Sequence, residues 1–428
     1  MTRERSMIQM ADTRKRRENV AKYMQDGEML LSFAGNSNLD VSETPDPMKL
    51  DPNFLYLTDA DINGAILMLL KVQGSLMEFL FVHQNTDMED FYLGKGKTIG
   101  EYRTETGIGS VLPLSELNDT INTMISNFCV SKVYFCQNER RIREGLDPAA
   151  AFARKLQDSF LGISIGSLSD ELKYLRVIKD EEEVNRIRRA IDIADLAYRA
   201  VAQNLKPGMK EYQIASIVEH TVKMNGGQVS ALLASVGKHA AILHCFDTDE
   251  TAEEGDLLIV DLCVRVNRYS CDVTRTFPVS GKFTPEQRKW YDICLETQRL
   301  VRNGVRPGVP VGQAGEEGNR YLENALRREG YLQEGENIRT LLNEHRDNYA
   351  TPGMINHGIG LDVHEKRNDP EGMLQPGMVL AIEPGVYFKE HNMGVRVEDD
   401  VLVTEDGYEL LTAGIPAAAD EIEAMMAR

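Results

Sequence analysis

The stretch Leu257–Phe277, LLIVDLCVRVNRYSCDVTRTF, decides how this chain is read. It divides into two segments rich in Val, Ile, Leu, Tyr and Thr, Leu257–Arg265 and Arg268–Phe277, a composition typical of paired β-strands. With Val266 and Asn267 as a two-residue turn, antiparallel pairing sets Asp261 directly opposite Asp272. Facing side chains in such a ladder leave on one side, with Cβ atoms about 4.5–5.5 Å apart. Carboxylates that close repel, so one takes a proton or a cation lies between them. A solvated hairpin with two surface acids is the plain alternative. The buried-looking run LLIVD at its start argues for a metal.

A second pair of segments lies near the C-terminus. Met378–Tyr387 (MVLAIEPGVY) reads as a strand ending in Glu383, stopped by Pro384 and Gly385. Gly394–Thr404 (GVRVEDDVLVT) reads as another, with Arg396 and Glu398 on one face and Val395 and Val397 on the other. A turn around Glu390 and His391 brings Glu383 opposite Glu398. Between the hairpins runs NHGIGLDVHE, Asn356–Glu365, with His357 and His364. Four carboxylates and one imidazole form a hard, oxygen-rich set suited to two divalent ions such as Mn, Co or Zn. Four carboxylates carry about −4 and two such ions +4, so the filled site is near neutral.

These pieces carry a resemblance. ILHCF at 242–246, VDLC and CDVTRTFPVSGKFT within 260–284, NHGIGLDVHE at 356–365, IEPGVY at 382–387 and VRVEDDVLVT at 395–404 resemble the pita-bread metallopeptidases. The closest likeness is to aminopeptidase P and prolidase, the Xaa-Pro peptidases, in order and spacing over roughly the last 250 residues. The resemblance implies an α/β architecture: a smaller N-terminal domain over 1–168 and a pita-bread catalytic domain over 169–428. It implies metal ligands at Asp261, Asp272, His357, Glu383 and Glu398, with Asp272 and Glu398 bridging two divalent ions, manganese first and cobalt or zinc next. It implies an exopeptidase that attacks the N-terminal bond of a peptide, Xaa-Pro above all, through a hydroxide between the metals. Water so held has a pKa near neutrality. Glu383 then serves as proton shuttle, while His364 and His244 contact substrate or the developing oxyanion. Arg396, sharing a face with Glu398, is expected to orient that carboxylate and to serve the substrate site. A homodimer or larger homo-oligomer is also implied.

Two departures stand out. The family carries a histidine four residues before the position of His357, and here that residue is Gly353. Leu262 and Cys263 stand where the family has small residues, which narrows the site beside Asp261. The competing readings keep the fold and change the chemistry: a lyase or hydrolase acting on a small non-peptide molecule, or a non-catalytic member. Intact ligands argue against the last.

Composition bounds the rest. A chain of 428 residues exceeds one ordinary core, and 42% apolar with 27% charged residues is globular. A net charge of −19 argues against a nucleic-acid partner. No run reaches the length of a membrane span, and the basic start, MTRERSMIQMADTRKRRENV, lacks the apolar core of a secretory signal. The six cysteines form no CxxC pair, which favours reduced thiols and a cytoplasmic location.

In the first part, 12–24 reads as a charged helix and Glu28–Ala34 as a strand; a polar loop GNSNLDVSETPDPMKLDP follows. NFLYLTD, AILMLLKV and LMEFLFV then read as strands, and 121–138 as helix followed by strand. His83 there reads as structural. Past a boundary near Gly166–Tyr174, a long helix opens with Asp180 as N-cap and Glu183 three residues on, and a second spans Glu211–Asn225. His239 reads as a structural histidine. Thr284, Pro285 and Gln287 begin another helix, with Trp290 as core, and a further one covers about Gln313–Arg328. Leu332–Asn348 reads as polar and acidic, and the C-terminal tail as a short acidic helix.

Overall fold

The computed structural model describes residues 13–35, 50–136, 148–367 and 369–427. The N-terminal basic segment at 1–12 and most of the polar loop, 36–49, lie outside them. Two compact units divide the chain, Met1–Arg176 and Val177–Arg428, both of mixed α/β structure.

The first unit is built on β1 (Glu28–Phe33), β2 (Ile66–Val72), β3 (Ser75–Val82), β4 (Ser110–Pro113), β5 (Lys132–Phe135) and β6 (Ser164–Ser167). They form one mixed sheet in the order β4-β3-β2-β1-β5-β6. Leu31, Met68, Phe81 and Val133 fill one core face of it. One expectation is overturned: NFLYLTD lies in the helix Pro52–Thr58 and not in a strand. The Asp51 carboxylate accepts the Asn53 and Phe54 N–H groups, Pro52 occupies the first turn, and Asp59 ends the helix in the left-handed region at φ 51°. That cap chemistry outweighs the β preference of Phe, Tyr and Leu.

The second unit holds β7 (Gln228–Val236), β8 (Leu257–Val266), β9 (Tyr269–Ser270) and β10 (Val273–Pro278), paired in the order β10-β8-β7 with β9 beside β8. It continues with β11 (Asn348–Thr351), β12 (Ile355–Gly358), β13 (Val379–Ile382), β14 (Gly385–Phe388), β15 (Met393–Arg396), β16 (Asp399–Val403) and β17 (Tyr408–Leu410). These make two further sheets, β11-β14-β15 and β12-β13-β16-β17. A single antiparallel bridge, Thr274 to Glu398, joins β10 to the seam between β15 and β16.

Two helices cover this framework. Glu181–Asn204 starts in the expected Asp180–Glu183 capping box and buries Val184, Ile187, Ala190, Ile191, Ala194 and Val201 along one stripe. Pro285–Gly304 starts at Thr284 in the second expected box and buries Trp290 completely, against Phe388. The polar, acidic stretch Leu332–Asn348 contains a short helix, Ile338–Asn343, capped by Asn337.

The first hairpin turns one residue later than expected, which slips the cross-strand pairing by two. Asn267 and Arg268 occupy the turn at φ 45° and 76°, the left-handed pair that a tight hairpin requires and that a β-branched Val266 resists. Val266 therefore faces Tyr269, and Asp261 faces Thr274 in place of Asp272. A slip of two keeps every side chain on its face. Asp261 and Asp272 are consequently diagonal neighbours, and in the same register Cys263 stands opposite Asp272. The second register holds as expected. Ile382 faces Asp399 and Gly385 faces Arg396, so Glu383 and Glu398 meet in the gap between the two ladders.

Beside this gap Arg275 is fully buried and its Nη2 pairs with Asp399 at 2.7 Å, while its other donors take the carbonyls of Thr274, Glu398, Ile415 and Pro416. Arg275→Met strands the Asp399 charge and is expected to cost about 3–5 kcal/mol. The single tryptophan lies in this unit, so a urea titration followed by its fluorescence measures the loss; a shift below 1 kcal/mol contradicts the account.

Candidate metal centre

The hairpins place a transverse row of residues on one face. Asp261 faces Thr274 across the β8–β10 ladder, Thr274 bridges to Glu398, and Glu398 meets Glu383. Asp272 approaches diagonally, and His357 enters from β12, whose partner Ala381 lies two residues before Glu383 and on the same face. His357 Nε2 lies 3.7 Å from Asp272 Oδ2, 3.6 Å from Glu383 Oε1 and 3.8 Å from Glu398 Oε1. Asp261, Cys263 and Asp272 each bring one donor atom within 4.8 Å of the others, and so do Asp272, His357 and His364. All five residues expected as ligands therefore converge.

The electrostatics are those of crowded anions. Burial, with the Asp261 charge behind it, pushes the Asp272 carboxyl far above the usual range. Burial and then Asp272 do the same to Glu398. Burial also lifts Asp400 to about 8. At Glu383 burial is outweighed by His357 and Arg396, which hold that carboxyl low. Burial opposes protonation of His357, yet Glu383 and Asp272 prevail and hold the imidazole up at about 9.

Around the donors, the buried Arg396 ties the scaffold together. Its Nη2 reaches Asp261 Oδ2 at 2.6 Å, and its Nη1 donates to Tyr387 Oη at 2.9 Å and to the Leu243 carbonyl at 3.0 Å. This corrects the expectation for Arg396: it orients Asp261 and not Glu398, and at 1% exposure it lies beneath the site, out of a substrate's reach. Glu398 is held by Thr274, whose hydroxyl donates to Oε2 at 2.7 Å. Tyr387 stacks on Tyr349 at 4.9 Å and hydrogen-bonds Arg396. Tyr349 Oη also accepts the Leu243 N–H at 2.8 Å, so both backbone groups of Leu243 are fixed next to the exposed His244.

His364 is exposed, and its ring centroid lies 4.4 Å from that of His357. Desolvation, then the His357 charge, holds its pKa down. His239 stands apart, its Nδ1 3.0 Å from a Glu211 carboxylate oxygen, as a structural histidine should. His83 likewise pairs with Glu89 at 2.9 Å. Sequence reasoning passed over Thr274, Tyr349 and Asp400. Asp400 Oδ2 accepts the Asp272 N–H at 3.0 Å, and the acidic run EDD was the signal for it.

The model of metallopeptidase family M24 matches residues 185–405, and that of the aminopeptidase P N-terminal domain matches 13–134. The chain belongs to metallopeptidase family M24. It is 31% identical over 426 residues to Xaa-Pro aminopeptidase 2 of Streptomyces coelicolor, covering 94% of this chain and 88% of that one. With the Xaa-Pro aminopeptidase of Escherichia coli K12 it shares 28% over 438 residues, 98% of each chain. Among solved structures, proline aminopeptidase P II from Yersinia pestis matches with a TM-score of 0.84 at 27% identity, over 97% of this chain and 98% of that one. Zn-substituted E. coli aminopeptidase P in complex with product gives 0.84 at 27%, over 97% of both.

M24 membership implies divalent metal ions, and the residues fit them. His357 Nε2 and Glu398 Oε1 are buried and lack a hydrogen-bond partner among the described residues. Buried polar atoms are normally satisfied, and here a cation completes them.

The raised groups all lose stability as pH rises. Asp400 binds a proton in the folded state up to about 8, against 3.8 unfolded, and His357 up to about 9, against 6.5. Stability of the chelated protein should therefore fall from pH 6 to pH 9. Divalent metal at about 100 times its Kd should add about 2.7 kcal/mol and flatten that slope. Melting curves with and without chelator check both; a chelated protein that gains stability over this range would contradict the assignment.

Proposed function

We propose that this chain is a metal-dependent exopeptidase that releases the N-terminal residue from peptides with proline in second place. The observation that carries the reading is the convergence of four carboxylates and one imidazole with two buried donor atoms left open. Asp261, Asp272, His357, Glu383 and Glu398 would hold two divalent cations. The carboxylates and the imidazole alone would suit manganese first, with cobalt and zinc next. Bound there, the pair supplies Lewis-acid chemistry: it lowers the pKa of water and polarises the amide carbonyl.

The protein's own groups do the rest. Glu383 is the most solvent-open of the carboxylates around His357, at 19% exposure, and it is ionised. It can take a proton from attacking water and deliver it to the leaving nitrogen. His364, kept neutral by desolvation and by His357, presents an N–H to the carbonyl oxygen as negative charge develops. His244, held by the fixed Leu243 backbone, stands at the exposed rim for substrate contact. Arg396 and Thr274 hold Asp261 and Glu398 at their stations.

Packing fixes the residue at position 353 as Gly353. A Cβ there would run into Thr297 Cγ2, so helix Pro285–Gly304 leaves no room for a larger side chain. The six free cysteines support a cytoplasmic setting, and no helix among the described residues is long and apolar enough to cross a membrane.

Tripeptides and dipeptides with proline or alanine in second place, given to chelated and to metal-reloaded protein, test the reading. Cleavage should require metal and favour proline. His364→Ala should lower kcat/KM by about 10²–10⁴ with an unchanged melting temperature. Metal-loaded protein that releases no N-terminal residue overturns the proposal.

A further inference from the structure

The hairpin register puts a sulfur in the metal centre. Cys263 stands opposite Asp272 and is 3% exposed, and its Sγ lies 3.1 Å from Asp272 Oδ1. The other Asp272 oxygen, Oδ2, faces His357. Asp272 thus turns one oxygen to the imidazole side of the centre and the other to the side shared by Asp261 and Cys263, whose donor atoms gather within 4.8 Å. The independent sign that this centre takes an ion lies across Asp272, on the imidazole side: His357 Nε2 and Glu398 Oε1 are buried and have no hydrogen-bond partner among the described residues.

We propose that the Cys263 sulfur is a sixth donor to the centre, binding the same cation as Asp261 and Asp272 Oδ1, and that it biases the site toward zinc and cobalt over manganese. This rests on the metal-dependent reading above and adds a ligand to it. The spacing suits the role: donors at about 2.3 Å (sulfur) and about 2.1 Å (oxygen) from one ion, at right angles, lie about 3.1 Å apart. On binding, the cation takes the place of the thiol proton between sulfur and oxygen, and one proton leaves to solvent. A soft sulfur strengthens binding of borderline ions more than of the hard manganese ion. The residue therefore sets which metal the hairpin selects.

The test uses the full chain, stripped with chelator under a non-thiol reductant and reloaded with cobalt, zinc or manganese. Cobalt-loaded wild type should show sulfur-to-cobalt charge-transfer absorption in the near ultraviolet, lost in Cys263→Ser and Cys263→Ala. Cys245→Ser, which removes the thiol of the separate His239, Cys245 and Asp247 group, should keep it. The zinc-over-manganese affinity ratio should drop about tenfold or more in Cys263→Ser. X-ray absorption of zinc-loaded wild type should show a sulfur neighbour at about 2.3 Å, which decides the matter even if a variant fails to fold. Cobalt or zinc bound without a sulfur neighbour, or a band and ratio unchanged in Cys263→Ser, overturns the proposal while leaving the metal-dependent reading intact. Metal absent from every form by elemental analysis overturns both.

Discussion

Like charges held on one face of a sheet are the constraint from which the rest of the second unit follows. Asp261, Asp272, Glu383 and Glu398 are set by backbone register and cannot move apart without breaking ladders. At the spacing of adjacent strands, two carboxylates repel by several kcal/mol in a partly buried setting. The protein offsets only part of this itself. Arg396 neutralises Asp261 and Thr274 donates to Glu398, but Asp272 and Glu398 still hold their protons far above the normal range. An arrangement that costs stability when empty and is relieved by cations is what a binding site for cations requires.

The surrounding hydrogen bonds keep that arrangement from relaxing. Asp400 grips the Asp272 N–H, and Arg275 pins the Asp399 carboxylate and the Glu398 carbonyl, so the residues on either side of the seam are fixed independently of any ion. Pro384 contributes by absence: it removes a ladder N–H where β13 gives way to β14. The sheet opens there, and the Glu383 and Glu398 side chains meet in the opening. Rigidity outside the donors and incomplete pairing at them divide the work between neighbouring residues.

How much of this the sequence reveals depends on which physical rule governs each part. The Glu383–Glu398 pairing is legible because a centred turn and an alternating pattern leave one register that buries the valines. The Asp261–Asp272 pairing is misread by two residues, because turn conformation rather than strand composition sets the register, and Asn267-Arg268 accepts positive φ where Val266 does not. Helix starts at Asp180 and Thr284 are local and were readable. NFLYLTD was not, since Asp51 and Pro52 decide its state from outside the segment. Arg396 shows the limit most clearly. Face and parity place it beside Glu398, and only the tertiary approach of Asp261, Tyr387 and Leu243 tells which acceptors it takes.

The two site histidines illustrate how a short loop substitutes for a rigid element. His357 and His364 lie seven residues apart, yet Gly358 and Glu365, each the next residue along, exchange backbone hydrogen bonds at 3.0 and 2.8 Å. That closure brings the rings together. Gly358 is required because a Cβ would strike the Lys366 carbonyl oxygen. The Glu365 carboxylate accepts the Leu361 N–H at 2.9 Å and pairs with the buried Lys179 at 2.8 Å, so the loop is tied down from inside. A buried pair of this kind adds little net stability by itself, but removing either partner would leave an uncompensated charge beside the loop. Its effect is to fix one loop geometry, and with it a ligand imidazole that, despite burial, Glu383 and Asp272 hold up, and a solvent-facing imidazole that desolvation and then the His357 charge hold down.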